Sequence, residues 1–591
     1  MIEKLEIPEP CETVQGWGSD VAAAMLRTIG VKYVALNPGA SYRGLHDSLV
    51  NFLGNRNPQM LLCLHEDHVV SIAHGYAKAS DEMMACVLHS NVGLFHGLMG
   101  IYNAWCDRMP MLVIGATGPV ATEKRRPWID WIHTSKDQAS VLRNFSKWDD
   151  EPRSVSGIVN SFLRGAQIAR AQPSAPVYIC LDAGLQEEKL DEPIEIPGIE
   201  RFIPAQSPSP SLNQIKRVVE LLLKAENPVI LMGRVSRDQF GWDQRIRLAE
   251  ALGASVLTSI RERSAFPTNH PLHAAPPFFW LNPKAKEVLA GSDCILSLDW
   301  PDLSGTLEQT FANNSDFTGN IIQVSMDHQL HNGWSMDYFS LCAVDIPISS
   351  GVNEFVDSLL PALEKQIGPK KLWDGSSRNS LPKIGYSDSI DQEISPRDIE
   401  VALSNVRSNH LFSLAHVTIG WVGDAYQFYD PLDFLGHDGG AGLAAGPGIT
   451  VGAALALKDA NRIVVSVLGD GDFIQGATAL WTAAHYHLPA LFIVSNNRSN
   501  FNDEIHQETV AKSRNRPVKN RWIGQRIDEP TVNIAQLAKA QGVDAEGPIT
   551  SIASLEAALQ RGITAVQEGR PYLIDVHVKP GYLSAPLSRG R

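Results

Sequence analysis

Between Gly469 and Asn500 the chain reads GDGDFIQGATALWTAAHYHLPALFIVSNNRSN. One carboxylate, Asp470, lies between two glycines, and an asparagine pair, Asn496 and Asn497, follows an apolar run near the far end. The preceding VVSVLGDGD reads as a buried strand ending in a Gly-Asp-Gly turn. Glycine there lets the backbone approach a ligand closely. A strand, a glycine turn and a helix N-terminus together form an anion site. Asp470 in that turn is a hard oxygen donor, suited to Mg²⁺ bridging phosphates. The run GATALWTAAHYH then returns as a helix, and ALFIV comes alongside the first strand in a parallel sheet. Asn496 and Asn497 therefore emerge at the same edge as Asp470, the C-terminal edge where open α/β sheets bind ligands. Taken alone, these residues equally suit a plain βαβ unit with turn residues at both ends.

The rest of the chain supplies elements of the same kind. VKYVALNPG, MLLCLHED, MMACVLHS, MLVIGAT and PSAPVYICLDAG are short apolar runs separated by helical stretches such as HVVSIAHGYAKAS. That alternation predicts parallel sheets covered on both faces. NPVILMG, ASVLTSI, CILSLDW and NIIQVSM form a second such series. Polar, Pro/Gly/Ser-rich stretches around DEPIEIPG and from GPKKLWDG to ISPRD read as linkers. The expected architecture is three doubly wound parallel-sheet α/β domains, over residues 1–190, 205–365 and 395–591. The first and third also match each other. GLMGIYNAWCDRMPMLVI and GATALWTAAHYHLPALFI both begin on Gly (97, 476), carry Ala seven residues on (104, 483) and Pro after thirteen (110, 489). We read this as an internal duplication.

Composition narrows the classes further. The 591 residues are 44% apolar and 20% charged, an ordinary globular mix. A formal net charge of −14 argues against a nucleic-acid or anionic-membrane partner. No apolar run approaches the roughly 20 residues of a membrane span, and the N-terminus lacks the pattern of a signal peptide. The seven cysteines (11, 63, 86, 106, 180, 294, 342) contain no C-x-x-C pair. They read as reduced core residues of a cytoplasmic protein without a zinc site.

GDG, the interval of 27 residues from Asp470 to Asn497, and the Asn pair after an apolar strand resemble the motif of thiamine-diphosphate (ThDP) enzymes. The resemblance implies Mg²⁺ held by Asp470, Asn497 and the backbone of Ser499, with Gly469 and Gly471 lining the diphosphate. It extends over nearly the whole chain to the acetolactate synthase and benzoylformate decarboxylase group. Their domains follow in the order pyrimidine-binding (PYR), central and diphosphate-binding (PP). LCLHEDHVVSIAHGYAKAS then places Glu66 opposite the aminopyrimidine, where a carboxyl shares a proton with the ring nitrogen. GGAGLAAGPGITVG places Leu443 as the apolar residue under the bent cofactor. VLHSNVG resembles benzoylformate decarboxylase and puts His89 over the active site. His133-Thr134 stands where pyruvate decarboxylases carry His-His-Thr, with Ile132 in place of the first His. Imidazoles there could carry protons to and from the intermediate.

The sequence also departs from that pattern. Ala40 stands at the position of the decarboxylase pocket serine, and Ser41 is one place off. Asp472 adds a second carboxylate near the diphosphate, expected to turn away or cap the following helix. Asp503 and Glu504 fall near a catalytic Glu position, or are simply first-turn carboxylates. The run RRPWIDWIH from Arg125 suits a pocket wall or a subunit contact. The implied activity is decarboxylation of a small-molecule 2-oxo acid at a site shared between subunits of a homodimer or homotetramer. The alternatives are an acetolactate-synthase-type carboligase, a 2-hydroxyacyl-CoA lyase and a non-catalytic ThDP-binding relative. FAD is possible but not favoured: the central unit lacks a glycine-rich dinucleotide fingerprint, though some members of the group bind FAD without one.

Overall fold

Apolar runs too short for helices and rich in Val, Ile and Leu become strands here, and the amphipathic stretches between them become crossover helices. The structure, a computed structural model, describes residues 5–10, 14–277, 279–311, 316–327, 341–368, 372–378, 384–386, 393–407 and 410–580. Cys11 and much of the second linker lie outside the described residues.

The first sheet contains β1 (Tyr33–Leu36), β2 (Gln59–Leu62), β3 (Met84–Val87), β4 (Met111–Thr117), β5 (Trp148–Asp150) and β6 (Pro176–Asp182), in the order β2-β1-β3-β4-β6-β5. The second contains β7 (Pro228–Met232), β8 (Ser255–Thr258), β9 (Cys294–Leu298), β10 (Asn320–Val324) and β11 (Ile346–Ile348), ordered β11-β10-β9-β7-β8. The third contains β12 (Phe412–His416), β13 (Ile463–Gly469), β14 (Leu491–Asn496), β15 (Asp544–Ile549) and β16 (Tyr572–His577), ordered β12-β13-β14-β16-β15. All ladders are parallel. Successive residues alternate between two cores: Val34 and Leu36 face one, Ala35 the other. That is the signature of a sheet covered by helices on both faces.

Without β2, the first sheet has the same strand order, relative to the chain, as the third. The matched segments occupy equivalent places, before β4 and before β14. Each helix there ends in a left-handed residue two places before its proline, Arg108 (φ 57) and His487 (φ 52). Topology and local backbone thus repeat together, which supports the duplication.

One apolar core runs between the first and third units. It joins Ala35, Ile72 and Tyr76 to Val451, Leu468 and Phe492. At its centre the Glu66–Ser80 helix crosses the Ala445–Leu457 helix at backbone contact. A methyl on Gly452 would overlap the Ile72 carbonyl and lie 2.7 Å from the Tyr76 nitrogen. One on Gly75 would overlap the Ile449 carbonyl. His68 Nε2 and Thr478 Oγ1, 2.7 Å apart, bridge the same two units. Among the described residues no helix is long and apolar enough to cross a membrane.

Candidate functional site

The edge of the third sheet gathers the residues of the Gly-Asp-Gly motif. Gly469 pairs with Ser495 across β13 and β14, so Asp470 and Asn496 leave the sheet at one level. Asp470 opens the short Asp470–Gly476 helix and is buried. The two asparagines do different jobs. Asn496 donates to Asp575 Oδ1 (2.9 Å) and accepts from the Arg498 N–H (3.1 Å), which fixes the strand end. Asn497 Oδ1 accepts from the Ser499 N–H (2.9 Å), as does Asp470 Oδ2 (3.0 Å). Arg498, at φ 58, makes the turn that returns Ser499 to Asp470. Burial pushes the Asp470 carboxyl up to about 6, with backbone N–H groups opposing the shift. A buried carboxylate held by backbone donors, beside an amide oxygen, is a donor set that fits a hard divalent cation.

Glu504 and Asp503, adjacent in the sequence, part company in space. Glu504 is 2% exposed. Its carboxylate accepts from Ser499 Oγ (2.7 Å) and pairs with Arg521 (3.3 Å) and Arg526 (3.4 Å). It therefore clamps the turn that carries Ser499. Asp503 is exposed in the first turn of the Phe501–Ser513 helix.

Asp472 does not cap the helix that follows it. Its Oδ1 accepts the Ala444 N–H (2.8 Å), so it caps the preceding Ala445–Leu457 helix. Burial raises its pKa, and the nearby His416 opposes the rise. His416 belongs to a buried set that the sequence did not reveal. Its Nε2 lies 3.3 Å from Asp438 Oδ1, and His437 Nδ1 lies 2.8 Å from the same oxygen. Burial alone would lower the His416 pKa, but Asp438 and Asp472 outweigh it. His416 thus acts as counter-charge to the second carboxylate of GDGD. The other members lie 21 to 56 residues after His416, on a loop and at a helix start, and leave no local sequence signal. Leu443 is half exposed on the glycine-rich loop.

The C-terminal edge of the first sheet carries a second cluster. Asn37 and Ser41 follow β1, Glu66 follows β2, His89 follows β3 and His133 follows β4. His65 is the N-cap of the Glu66–Ser80 helix, its Nδ1 accepting the Asp67 N–H (3.1 Å). Glu66 is 5% exposed, and its Oε2 lies 3.1 Å from His96 Nδ1. Burial pushes the Glu66 carboxyl up, but hydrogen bonds from His96, Asn37 and its own backbone more than offset this and hold it below the usual range. His89 Nδ1 is 2.8 Å from Ser41 Oγ, which also accepts the Ser90 N–H (3.1 Å). The His89 and His133 rings meet edge to face at 4.7 Å. Burial, His133 and Arg126 lower the His89 pKa, with Glu66 opposing them. The loop bearing His133 is tied down by Arg126–Asp130 (2.8 Å) and by Asn91 donating to the Ile132 carbonyl (3.1 Å). It exposes Trp128 and Trp131. Sequence reading missed His65 and His96; His96 could have been found only by noticing a histidine two helical turns after His89.

Within one chain, the hydrogen bonds of Glu66 lie in the first unit and those of Asp470 in the third. Exposed apolar side chains border both clusters: Leu64, Val92, Phe95 and Met99 beside Glu66, and Leu443 on the glycine-rich loop. A separate cavity of about 280 Å³ lies between the first and second units. Two of its arginines, Arg108 and Arg234, are already paired with Asp327, and Arg234 also with Asp299.

Three family models match the chain. They are the N-terminal TPP binding domain (residues 16–141), the central domain (215–357) and the C-terminal TPP binding domain (417–576) of thiamine pyrophosphate enzymes. Acetolactate synthase 1 of Nicotiana tabacum is 26% identical over 582 residues, covering 95% of this chain and 81% of that protein. Benzoylformate decarboxylase of Pseudomonas aeruginosa is 25% identical over 562 residues, 93% of this chain and 97% of that one. Among solved structures, the Rhodococcus jostii ThDP-dependent 4-hydroxybenzoylformate decarboxylase matches with a TM-score of 0.74 at 21% identity, over 96% and 99% of the two chains. Benzoylformate decarboxylase of Polynucleobacter necessarius matches with 0.78 at 19%, also over 96% and 99%. Both structural likenesses concern the fold alone.

Proposed function

The chain belongs to the family of ThDP-dependent enzymes, which has decarboxylase and carboligase members, and on that premise we infer that it is a Mg²⁺-requiring 2-oxo acid decarboxylase. When bound, ThDP supplies an electron sink beside the substrate carbonyl. The side chains of this protein do the rest. Asp470, Asn497 and the Ser499 backbone would hold the metal, Gly469 and Gly471 would line the diphosphate, and Leu443 would support the cofactor from the glycine-rich loop. Glu66 would share a proton with the ring nitrogen of the aminopyrimidine. His89, oriented by Ser41, moves a proton at the substrate side, with His133 against its ring.

The observation that carries this reading is the convergence of Ser41, Glu66, His89 and His133 on one sheet edge, where open α/β sheets bind ligands. A carboxylate and two imidazoles at one sheet edge supply acid–base groups for the proton that must replace departing CO₂. The exposed apolar side chains Leu64, Val92 and Phe95 beside Glu66 support a homodimer or homotetramer whose sites lie between subunits. We take the domains as residues 1–190, 205–365 and 395–591.

The test is a panel of pyruvate, benzoylformate, branched 2-oxo acids and a 2-hydroxyacyl-CoA, with CO₂ and organic product read together. CO₂ with the matching aldehyde is expected. CO₂ with a coupled acyloin would make the enzyme a carboligase, the reading that the tobacco relative favours. A CoA ester cleaved without CO₂ would replace both readings with a lyase. Glu66→Gln should retain ThDP and lose turnover; a protein inactive before the change would be a non-catalytic relative.

A further inference from the structure

The motif places Leu443 in the sequence but does not say what fixes it in space. Leu443 lies on the glycine-rich loop 439–444, which is held at both ends. At its start, a methyl on Gly439 would lie 2.6 Å from Cys106 Cβ and 3.1 Å from the Asp107 nitrogen, so the backbone rests on the end of the Ser90–Cys106 helix. At its finish, Asp472 accepts the Ala444 N–H (2.8 Å). Ala441 (φ 50) and Ala444 (φ 82), either side of Leu443, are left-handed. That conformation costs an alanine about 1–2 kcal/mol and persists only where the surroundings enforce it. Met99 supplies that enforcement. A methyl on Gly442 would lie 2.6 Å from Met99 Cγ, 2.7 Å from Cε and 3.2 Å from Sδ, and these are the three atoms nearest that position. A methyl on Gly440 would lie 3.0 Å from Met99 Cε. The thioether therefore lies against the backbone on either side of Ala441. Its base is firm, because a methyl on the next residue, Gly100, would lie 2.9 Å from Val70 Cβ on the Glu66–Ser80 helix. The brace is a contact within one chain and does not depend on what covers the outer face of the helix.

Resting on the reading that Leu443 supports the cofactor, we propose that Met99 is a positioning residue for the reaction, carrying Gly442 and so setting how far Leu443 reaches toward the cofactor. Of the loop's supports it is the adjustable one. Gly439 meets a backbone nitrogen and a Cβ, whereas Gly442 meets an unbranched side chain that fits its shape to the gap. Truncating that side chain leaves a void into which a strained loop settles, and Leu443 settles with it. The metal and diphosphate residues keep their places, because Asp470, Asn497 and Ser499 are joined by hydrogen bonds of their own. A displacement of about 1 Å at a group that orients the reacting atoms costs up to about 10²-fold in rate.

The experiment uses the full chain loaded with ThDP and Mg²⁺. Deuterium exchange at the thiazolium carbon of the bound cofactor, read by acid quench and NMR, reports how the cofactor is held. Tryptophan fluorescence reads ThDP affinity separately. Met99→Ala should slow exchange by about 10- to 100-fold, while ThDP affinity changes by no more than about threefold. Met99→Leu keeps the volume and should stay within about threefold of wild-type exchange. Gly442→Ala added to Met99→Ala puts a methyl within 2.6 Å of the place that Met99 Cγ vacates, and should recover part of the loss. Wild-type exchange in Met99→Ala would overturn the proposal. So would a Met99→Leu protein as slow as Met99→Ala, or a double variant no faster than Met99→Ala, since neither agrees with a brace that works by its size. Loss of ThDP binding in Met99→Ala overturns it too, leaving Met99 as a packing residue. Leu443→Ala separates these failures from that of the underlying reading. If Leu443→Ala slows exchange and Met99→Ala does not, only the brace falls. If Leu443→Ala leaves exchange intact, the role of Leu443 falls and the brace with it.

Discussion

The helix crossing between the first and third units gives a prediction whose size follows from the geometry. In Gly452→Ala the new methyl meets the Ile72 carbonyl and lies 2.7 Å from the Tyr76 nitrogen, both backbone atoms that no rotamer change can move. Relief requires the two helices to part by about 1 Å, enough to forfeit roughly a quarter or more of each dispersion contact across the gap. Some six buried side chains meet there, including Ile72, Tyr76, Val451 and Leu455. At roughly 2 kcal/mol each, losing a quarter costs about 3 kcal/mol. Replacing Gly by Ala inside a helix returns about 1 kcal/mol. The net expectation is a loss of about 2 kcal/mol, and Gly75→Ala should cost the same by symmetry of the contact. The double variant opens the crossing once and gains the helix propensity twice, so it should be no less stable than either single variant. Urea unfolding followed by far-ultraviolet circular dichroism reads the stability. ThDP affinity reads displacement of Glu66, which rides on the same helix. A Gly452→Ala protein as stable as the parent, or a double variant whose losses simply add, would refute the argument.

Two further outcomes follow from the third unit. Glu504→Gln should raise the half-saturating Mg²⁺ concentration by roughly tenfold, the usual effect of loosening a partner behind a metal ligand, because Glu504 holds Ser499 and two arginines; magnesium titration of ThDP-dependent activity checks this. Glu400 is 1% exposed, and burial pushes its carboxyl up to about 8, against N–H donors from Val422 and Gly423. A raised carboxyl stabilises the fold at low pH and loses that contribution as pH rises through its folded value. Glu400→Gln should therefore raise the melting temperature more at pH 9 than at pH 5; an equal change at both would exclude titration of Glu400 as the cause.

The fold was legible because its signals are local. Strands buried on both faces need continuous apolar runs, so VVSVLG and ALFIV announced β13 and β14 without any partner in view. Glycine turns at strand ends and proline after helices marked the repeated unit, whose strand order the first and third sheets share. The level of Asp470 with the Asn pair could be derived as well, because one crossover between adjacent parallel strands fixes which ends coincide.

Local reading ran out where a side chain could turn either way. Asp472 follows Asp470 by two residues, yet it accepts the Ala444 N–H at the start of a helix that precedes it in the chain. Glu504 and Asp503 are neighbours of like charge, and helix geometry alone sent one to two arginines and the other to solvent. Ser41, one place off the expected register, still reaches His89, because the turn after Gly39 decides where its hydroxyl points.

By itself the sequence determined the three parallel-sheet units, the motif at the third sheet's edge and the membership that the motif implies. These depend on residue type and on spacing within single βα units. Only the tertiary structure decided that His96 lies on Glu66, that His416 lies between Asp438 and Asp472, and that Gly75 and Gly452 let two helices touch. Each of those pairings joins elements distant along the chain, and their approach is set by packing, which no local spacing records.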